Sequence, residues 1–346
     1  MQRRHWLLWG AVSPLGAQAA RPLPTPRPAP LSALVLAWAD YAQRFVTPDG
    51  RALDPGNQGI THTEGQGVSM LVAQACGDRA RFEALFRFCG QLRRDDGLYA
   101  WRWEPGQGIT DRNNATDGDL YIAWALARAG RRWNAPAYLA AAGALARAVR
   151  TQLAVEVRGQ PLLLPGQAGF WDTPAAGGAP IAVVNPSYLI LPALAELAQV
   201  DASPFWAALT QSTLRLLDTA RFGARQLPAD WLWMGEPVRP WPGRPARFGY
   251  EAIRIGLFLA WSRQSRHPAL QAIGRFMAEP GFPAWVDLQS GETAPYPAPP
   301  GFESVAALVR QQLTGSPPRF GAIDADYYSS SLSLLARLAW QDLGHA

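Results

Sequence analysis

Apolar residues recur at three- and four-residue spacing along most of the chain from Ser32 onward, which is the spacing of one face of an α-helix. Loops rich in Gly, Pro and Asp separate these segments. The pattern predicts eleven helices, with room for a twelfth between them. The predicted helices cover residues 32–46, 64–76, 78–94, 117–131, 135–152, 186–199, 203–220, 250–265, 267–278, 302–313 and 325–342. Strand-like patterns are short, the best being 162–164 and 181–184.

The order of these segments favours a single all-α domain over residues 32–346, built from helical hairpins. No sequence repeat of fixed period is visible, which argues against a stacked solenoid. Three long loops are rich in aromatic residues, Gly, Pro and Asp, at residues 95–115, 153–184 and 279–301. Because loops of this length are usually functional or disordered, we expect the hairpins to close into a ring with a functional face at the loops.

The N-terminal region has the pattern of an export signal. Residues 1–19 contain two arginines, an apolar stretch and a small-residue Ala-Gln-Ala sequence, which together predict a signal peptide. Residues 20–31 carry proline at every second position from Pro22 to Pro30, which favours an extended linker. We therefore expect a periplasmic or secreted protein.

Composition excludes several classes of function. The positive charge comes from arginine alone, because the sequence has no lysine; this excludes a Walker A loop and lysine Schiff-base chemistry. The arginines are scattered rather than gathered in a stripe, so we predict no binding to nucleic acid. The two cysteines, Cys76 and Cys89, are too few for a disulfide framework or an all-cysteine zinc site. They are equally compatible with one bond and with two buried thiols.

Carboxylates stand at the start of three predicted helices. They are Glu64 in Thr-Glu-Gly-Gln-Gly, Asp117 with Asp119 in Thr-Asp-Gly-Asp, and Glu251 in Tyr-Glu-Ala-Ile-Arg. Each carboxylate also has a purely structural explanation. Glu64 could cap its helix, the two aspartates could interact with the helix dipole, and Glu251 could form an i,i+3 ion pair with Arg254.

Carboxylates at one end of a helical ring could also serve as the acid and the base of glycoside hydrolysis. Inversion needs an acid and a base about 6.5 to 9.5 Å apart, with the acid holding its proton near neutrality. Tryptophans in the loops support a sugar substrate, because sugar faces stack on aromatic rings; these are Trp101, Trp103, Trp171 and Trp241. Trp38, Trp124, Trp206 and Trp261 fall in helical patterns and are better explained as core residues.

The stretch ATDGDLYIAWALARAGRRW at residues 115–133 resembles the signature of glycoside hydrolase family 8. Further likenesses are residues 63–67, 185–188, 296–302 and 326–329, so the resemblance runs from Ala33 to Asp342 with its landmarks in family order. Within the family the chain looks most like the endoglucanases encoded with bacterial cellulose synthases. The resemblance implies an (α/α)6 barrel with an open cleft, no cofactor, no metal, and hydrolysis of β-1,4-glucan by inversion.

Residue roles follow from the same resemblance. Glu64 matches the general acid, and Asp117 matches the carboxylate that holds the sugar beside the scissile bond. Glu251 stands where cellulases of the family carry a general-base aspartate, so its extra methylene displaces the carboxylate unless the backbone compensates; a shift of about 1 Å can cost a hundredfold in rate. The expected substrate contacts are Tyr250, Arg254, Trp101, Trp103, Tyr188 and Tyr328, with Arg254 orienting Glu251 and Tyr250 helping to place water.

The expected partner is a β-1,4-glucan polysaccharide, with a functional link to a cellulose synthase complex and a monomeric state. Chitosan, xylan and mixed-linkage glucan remain alternative substrates within the family, although chitosan would favour more acidic residues along the cleft than this sequence indicates. A weakly active or non-catalytic glucan-binding protein on the same scaffold remains an alternative because of the glutamate at position 251.

Overall fold

Eleven α-helices form within residues 32–173 and 177–345, the part of the chain that the computed structural model describes. All eleven overlap the segments predicted from apolar spacing. The predicted signal peptide and linker lie outside the described residues. The helices are α1 (Ala33–Phe45), α2 (Thr63–Ala75), α3 (Arg79–Leu92), α4 (Thr116–Arg132), α5 (Pro136–Leu153), α6 (Leu191–Leu197), α7 (Pro204–Thr219), α8 (Ile253–Trp261), α9 (Pro268–Met277), α10 (Pro300–Thr314) and α11 (Tyr327–Asp342).

Six of these helices form a closed inner ring. Each contacts the next in the order α2, α4, α6, α8, α10, α11 and back to α2, and the other five pack outside them. Burial follows this division: every residue of α8 is buried, whereas α5 buries only one face. This is the (α/α)6 barrel that the sequence predicts, with five outer helices in the described residues. A non-helical segment, residues 315–326, connects α10 to α11.

Glycines bring α2 and α4 unusually close together. A Cβ atom added at Gly118 would lie 2.9 Å from the backbone nitrogen of Glu64, and one added at Gly67 would lie 2.9 Å from the backbone nitrogen of Ile122. Real Cβ atoms do not approach other atoms this closely, so only glycine permits the contact. The first turns of α2 and α4, which carry Glu64 and Asp117, are held side by side as a result.

The loops contain short strands that pair in antiparallel fashion. Four small sheets form, joining β1 to β2 and β3, β4 to β5, β6 through β9 in order, and β10 to β11. The two segments predicted as strands are confirmed within β5 and β7. The strands are β1 (Thr61–His62), β2 (Arg102–Glu104), β3 (Gly108–Asp111), β4 (Ala154–Val157), β5 (Gln160–Leu163), β6 (Trp171–Asp172), β7 (Ile181–Val184), β8 (Leu232–Trp233), β9 (Arg239–Pro240), β10 (Arg247–Phe248) and β11 (Val286–Asp287).

The core contains the helix tryptophans. Trp38, Trp124, Trp206 and Trp261 are all buried, as predicted. Cys76 and Cys89 carry free thiols, and the Cys89 thiol packs against Met70. In the part of the chain that is described, no helix is both long enough and apolar enough to span a bilayer.

Candidate active site

Glu64 lies in the first turn of α2, and His62 caps this helix. The His62 Nδ1 atom accepts a hydrogen bond of 3.2 Å from the backbone N–H of Gly65. Its Nε2 atom lies 3.8 Å from the Asp54 carboxylate. His62 therefore caps the helix through Gly65. The Glu64 side chain takes no part in this cap and faces a cavity beyond the helix end.

The two aspartates of the second cluster have different surroundings. Asp119 is buried and accepts hydrogen bonds from the backbone N–H of Tyr99, at 3.1 Å, and from the side chain of Asn114, at 2.9 Å. It therefore fixes the loop before α4. Asp117 instead lines a cavity beside Glu64 and Glu251. One acid of this pair faces the cavity and the other does not.

Arg254 lies at the centre of the site and contacts three of the four predicted carboxylates. One terminal nitrogen, Nη1, donates to Glu64 Oε1 and, at 3.0 Å, to Asp117 Oδ2. The other, Nη2, donates to Glu251 Oε2 and, at 3.1 Å, to Ser187 Oγ. The arginine is buried, so its charge is poorly screened by water and draws the acids together. The sequence predicted only its pairing with Glu251.

Glu251 faces the same cleft as Glu64. Its Oε2 atom accepts a second hydrogen bond, of 3.0 Å, from the Asn185 side chain. Because Glu64 and Glu251 bind different nitrogens of one guanidinium group, their contacting oxygens lie within about 8 Å of each other. That limit lies below the upper end of the range of about 6.5 to 9.5 Å found in inverting enzymes, so the two oxygens are not too far apart for inversion.

The cleft consists of two adjoining cavities of 490 and 220 Å³. Residues lining both are Asp54, Asn57, His62, Glu64, Tyr188 and Glu251. The larger cavity extends past Tyr250 and the start of α11, and the smaller one extends past Trp101 and Asp117. Glu64 and Glu251 therefore stand where the two cavities meet.

Burial makes Asp117 a weak acid. Removal from water and the negative charge of Glu64, acting against the positive charge of Arg254, together raise the pKa of Asp117 to about 7. Near neutral pH about half of the Asp117 carboxyl groups therefore carry a proton.

The predicted aromatic contacts divide into two groups. Trp101, Tyr188, Tyr250 and Tyr328 line the cleft, and Tyr250 is 44% exposed. The guanidinium of Arg254 lies 5.4 Å from the ring centre of Tyr188, and the Tyr328 hydroxyl donates to the backbone oxygen of Tyr250. Trp103 lines neither cavity. It packs edge-on against Phe88 beneath the Arg51 side chain, so its position favours a packing role over the substrate contact that we predicted.

Sequence reasoning missed several residues of the cleft. Asp54 and Asp326 add two acids to its wall, and Tyr327 adds a second tyrosine from α11 beside Tyr328. The Tyr327 ring packs edge-on against His62 at a centroid distance of 5.4 Å. Tyr327 lies in the segment 326–329 that resembles the family, but Asp54 stands in a loop with no signal of its own. Among the described residues, no group of three or more His, Cys, Asp or Glu is arranged to hold a metal ion.

Comparison with known proteins gives consistent results. A model of glycosyl hydrolases family 8 matches residues 10–342. The chain is 35% identical over 322 residues to a probable endoglucanase of Novacetimonas hansenii, covering 90% of this chain and 92% of that protein. It is also 35% identical to an endoglucanase of Cellulomonas uda, covering 79% of this chain and 76% of that one.

Solved structures show the same likeness. The endo-β-1,4-glucanase CMCax from Acetobacter xylinum superposes with a TM-score of 0.82 at 33% identity, covering 90% of this chain and 98% of that chain. An endoglucanase from Komagataeibacter sucrofermentans superposes with a TM-score of 0.83 at 34% identity, covering 91% of this chain and 99% of that chain. The similarity therefore extends over the whole barrel.

Proposed function

This chain belongs to glycosyl hydrolases family 8, and on that premise we propose that it is an endo-β-1,4-glucanase that acts by inversion. The observation that carries the proposal is the convergence of Glu64, Asp117 and Glu251 on the single buried side chain of Arg254. Relatives described as endoglucanases cover most of the chain. The protein is a glycoside hydrolase, and β-1,4-glucan is the substrate class that these relatives support.

In the proposed reaction Glu64 donates a proton to the glycosidic oxygen as the bond to the anomeric carbon breaks. Glu251 takes a proton from a water that attacks the same carbon from the opposite face of the ring. Arg254 and Asn185 both donate hydrogen bonds to Glu251 Oε2, and these bonds fix the orientation of the carboxylate. Asp117 holds the sugar ring beside the scissile bond.

The test of this proposal combines turnover with stereochemistry. The chain is expected to release reducing ends from soluble β-1,4-glucan, and the first-formed product should be the α-anomer in proton NMR. A first-formed β-anomer would refute inversion, and binding without product would favour a glucan-binding protein on the same scaffold. Size-exclusion chromatography should give a monomer, and a dimer would contradict that part of the prediction.

A second candidate substrate is a β-1,4-linked polymer of glucosamine. Asp54 and Asp326 place two further carboxylates in the larger cavity, where Arg254 is the only arginine among the lining residues. This cavity is more acidic than the sequence indicated, and acidic walls attract protonated amino groups. Comparing neutral glucan with chitosan, for the wild type and for D54N, separates the two. A loss of activity on chitosan alone in D54N would support the amino-sugar substrate.

We also propose that the chain is exported and acts together with a cellulose synthase complex. The export proposal rests on residues 1–31 of the sequence, and the link to cellulose synthesis rests on the likeness of the chain to endoglucanases encoded with such synthases. Protein recovered from the periplasm or medium should begin near residue 20. An N-terminus at Met1 in cytoplasmic extract would contradict export.

A further inference from the structure

Asp230 holds the turn that carries Glu251. It lies between α7 and α8, and its Oδ1 atom accepts hydrogen bonds from two backbone N–H groups, those of Gly249 at 2.9 Å and Ala252 at 2.8 Å. These two peptide groups lie on either side of Tyr250 and Glu251 in the sequence. One carboxylate oxygen therefore closes the turn around both residues.

Glu251 needs such support more than the other two acids do. Glu64 and Asp117 are each the second residue of their helices, α2 and α4, whereas Glu251 lies two residues before α8 begins. Its backbone conformation is therefore set by the turn rather than by a full ladder of helical hydrogen bonds. Asp230 binds two N–H groups of this turn, and the Tyr328 hydroxyl donates to the carbonyl oxygen of Tyr250 within it.

Asp230 is itself firmly placed. Its backbone N–H donates to the carbonyl of Arg247, in β10, at 2.7 Å. A Cβ atom added at Gly249 would lie 3.1 Å from Asp230 Oδ2 and 3.1 Å from the Cβ of Trp285. The close approach of the carboxylate to the turn thus depends on glycine at position 249. Asp230 lines neither cavity of the cleft, so it acts through the turn and not on the substrate.

We propose that Asp230 is a positioning residue for the hydrolytic reaction: by binding the amides of Gly249 and Ala252 it sets where the Glu251 carboxylate lies. This inference rests on the proposed role of Glu251 as the base. Burial raises the pKa of Asp230 to about 7, and the charge of Glu251 acts in the same direction. A neutral side chain that accepts the same two bonds should therefore serve almost as well.

The test compares D230A with D230N on soluble β-1,4-glucan, with kcat and KM measured separately. D230A releases the turn, and a drift of about 1 Å in Glu251 lowers kcat by about 100-fold while KM stays within about twofold of wild type. In D230N the amide oxygen accepts the same two bonds, so most of kcat returns. Loss of stability alone would not give this rescue together with an unchanged KM.

The matched control is D287A. Asp287 Oδ1 also accepts two backbone N–H groups, those of Gln289 and Ser290 at 3.0 and 2.9 Å, but within its own turn, which carries no catalytic residue. This variant should keep the wild-type kcat. A D230A protein with wild-type kcat would overturn the inference, as would a D230N protein that loses as much activity as D230A.

If D230A does not fold, G249A gives a second test. The added methyl group presses on Asp230 Oδ2 and displaces the turn by a few tenths of an ångström, which should lower kcat several-fold at unchanged KM; an unchanged kcat would overturn the inference. A wild-type chain without activity on β-1,4-glucan would refute the proposed function first. An active wild type with an unaffected D230A would refute the positioning role alone.

Discussion

Shortening Glu251 to aspartate should impair the enzyme, even though aspartate is the residue expected from the family resemblance. The Glu251 carboxylate lies between two donors, Asn185 at 3.0 Å and Arg254. Removing one methylene withdraws the carboxylate by about 1.5 Å if the backbone stays in place. The oxygen would then be about 4.5 Å from the Asn185 nitrogen, beyond hydrogen-bonding distance.

Neither donor is free to follow the retreating carboxylate. The other side-chain atom of Asn185, Oδ1, accepts hydrogen bonds from the backbone N–H and hydroxyl of Ser187 at 3.0 and 2.7 Å. Arg254 is held by Glu64 and Asp117. The base is therefore displaced by more than 1 Å, and we expect kcat to fall by about 100-fold, or about 3 kcal/mol in activation free energy.

The assay is the initial rate of reducing-end release from soluble β-1,4-glucan, with kcat and KM resolved. E251Q is the companion variant, because its amide oxygen can keep both contacts while the base is lost; its kcat should fall by about 10²- to 10⁴-fold. E292D is the control, because it removes the same methylene at an exposed position outside the cleft. An E251D protein as active as wild type, or more so, would show that Glu251 is not fitted to its donors and would refute this reasoning.

Three further outcomes are expected. E64Q removes the proton donor and should lower kcat by about 10²- to 10⁴-fold with KM within a few-fold of wild type, measured on the same substrate; near wild-type turnover would remove the assignment. R254M removes the buried charge that joins three carboxylates, so activity should fall and thermal unfolding should show a loss of about 3 to 5 kcal/mol. Asp119 has its pKa raised to about 8 by burial, so the folded protein binds its proton more tightly than the unfolded chain does. The contribution of this proton binding to the free energy of unfolding is fully present below about pH 4 and is lost as the pH rises through 8. In urea titrations at several pH values, D119N should weaken this dependence of the free energy of unfolding on pH; an unchanged dependence would contradict the raised pKa of Asp119.

The helices could be predicted because the spacing of their apolar residues is a local feature of the sequence. Two predicted helix starts were wrong because a proline or a side-chain hydrogen bond changes the backbone there. The predicted helix 186–199 is divided: a short 3-10 turn spans Pro186–Tyr188, and α6 starts at Leu191. Pro192 lies in the first turn of α6, where its missing N–H is tolerated but an earlier helical turn would clash with its ring. The predicted helix 250–265 starts instead at Ile253, because the preceding turn is bound to Asp230.

The acids of the site were predictable individually, but their grouping was not. Glu64 and Asp117 are 190 and 137 residues away from Arg254 in the sequence, and no local pattern reveals contacts at that separation. Asp54 and Asp230 lie in loops whose residues show no periodicity, so their positions depend on tertiary packing. Most strands were missed because segments of two to four residues are too short for alternation to be recognised.

The glycine contacts between α2 and α4 have an implication for redesign of this scaffold. Gly67 and Gly118 bring two backbones together, so the distance between the proton donor and the sugar-holding acid is built into the rigid interior. The segments that would meet distant sugar units of a polymer lie outside that contact. Grafting surface segments from other barrels should therefore change which polysaccharide the enzyme prefers. An added methyl group at either glycine should instead lower activity on every substrate.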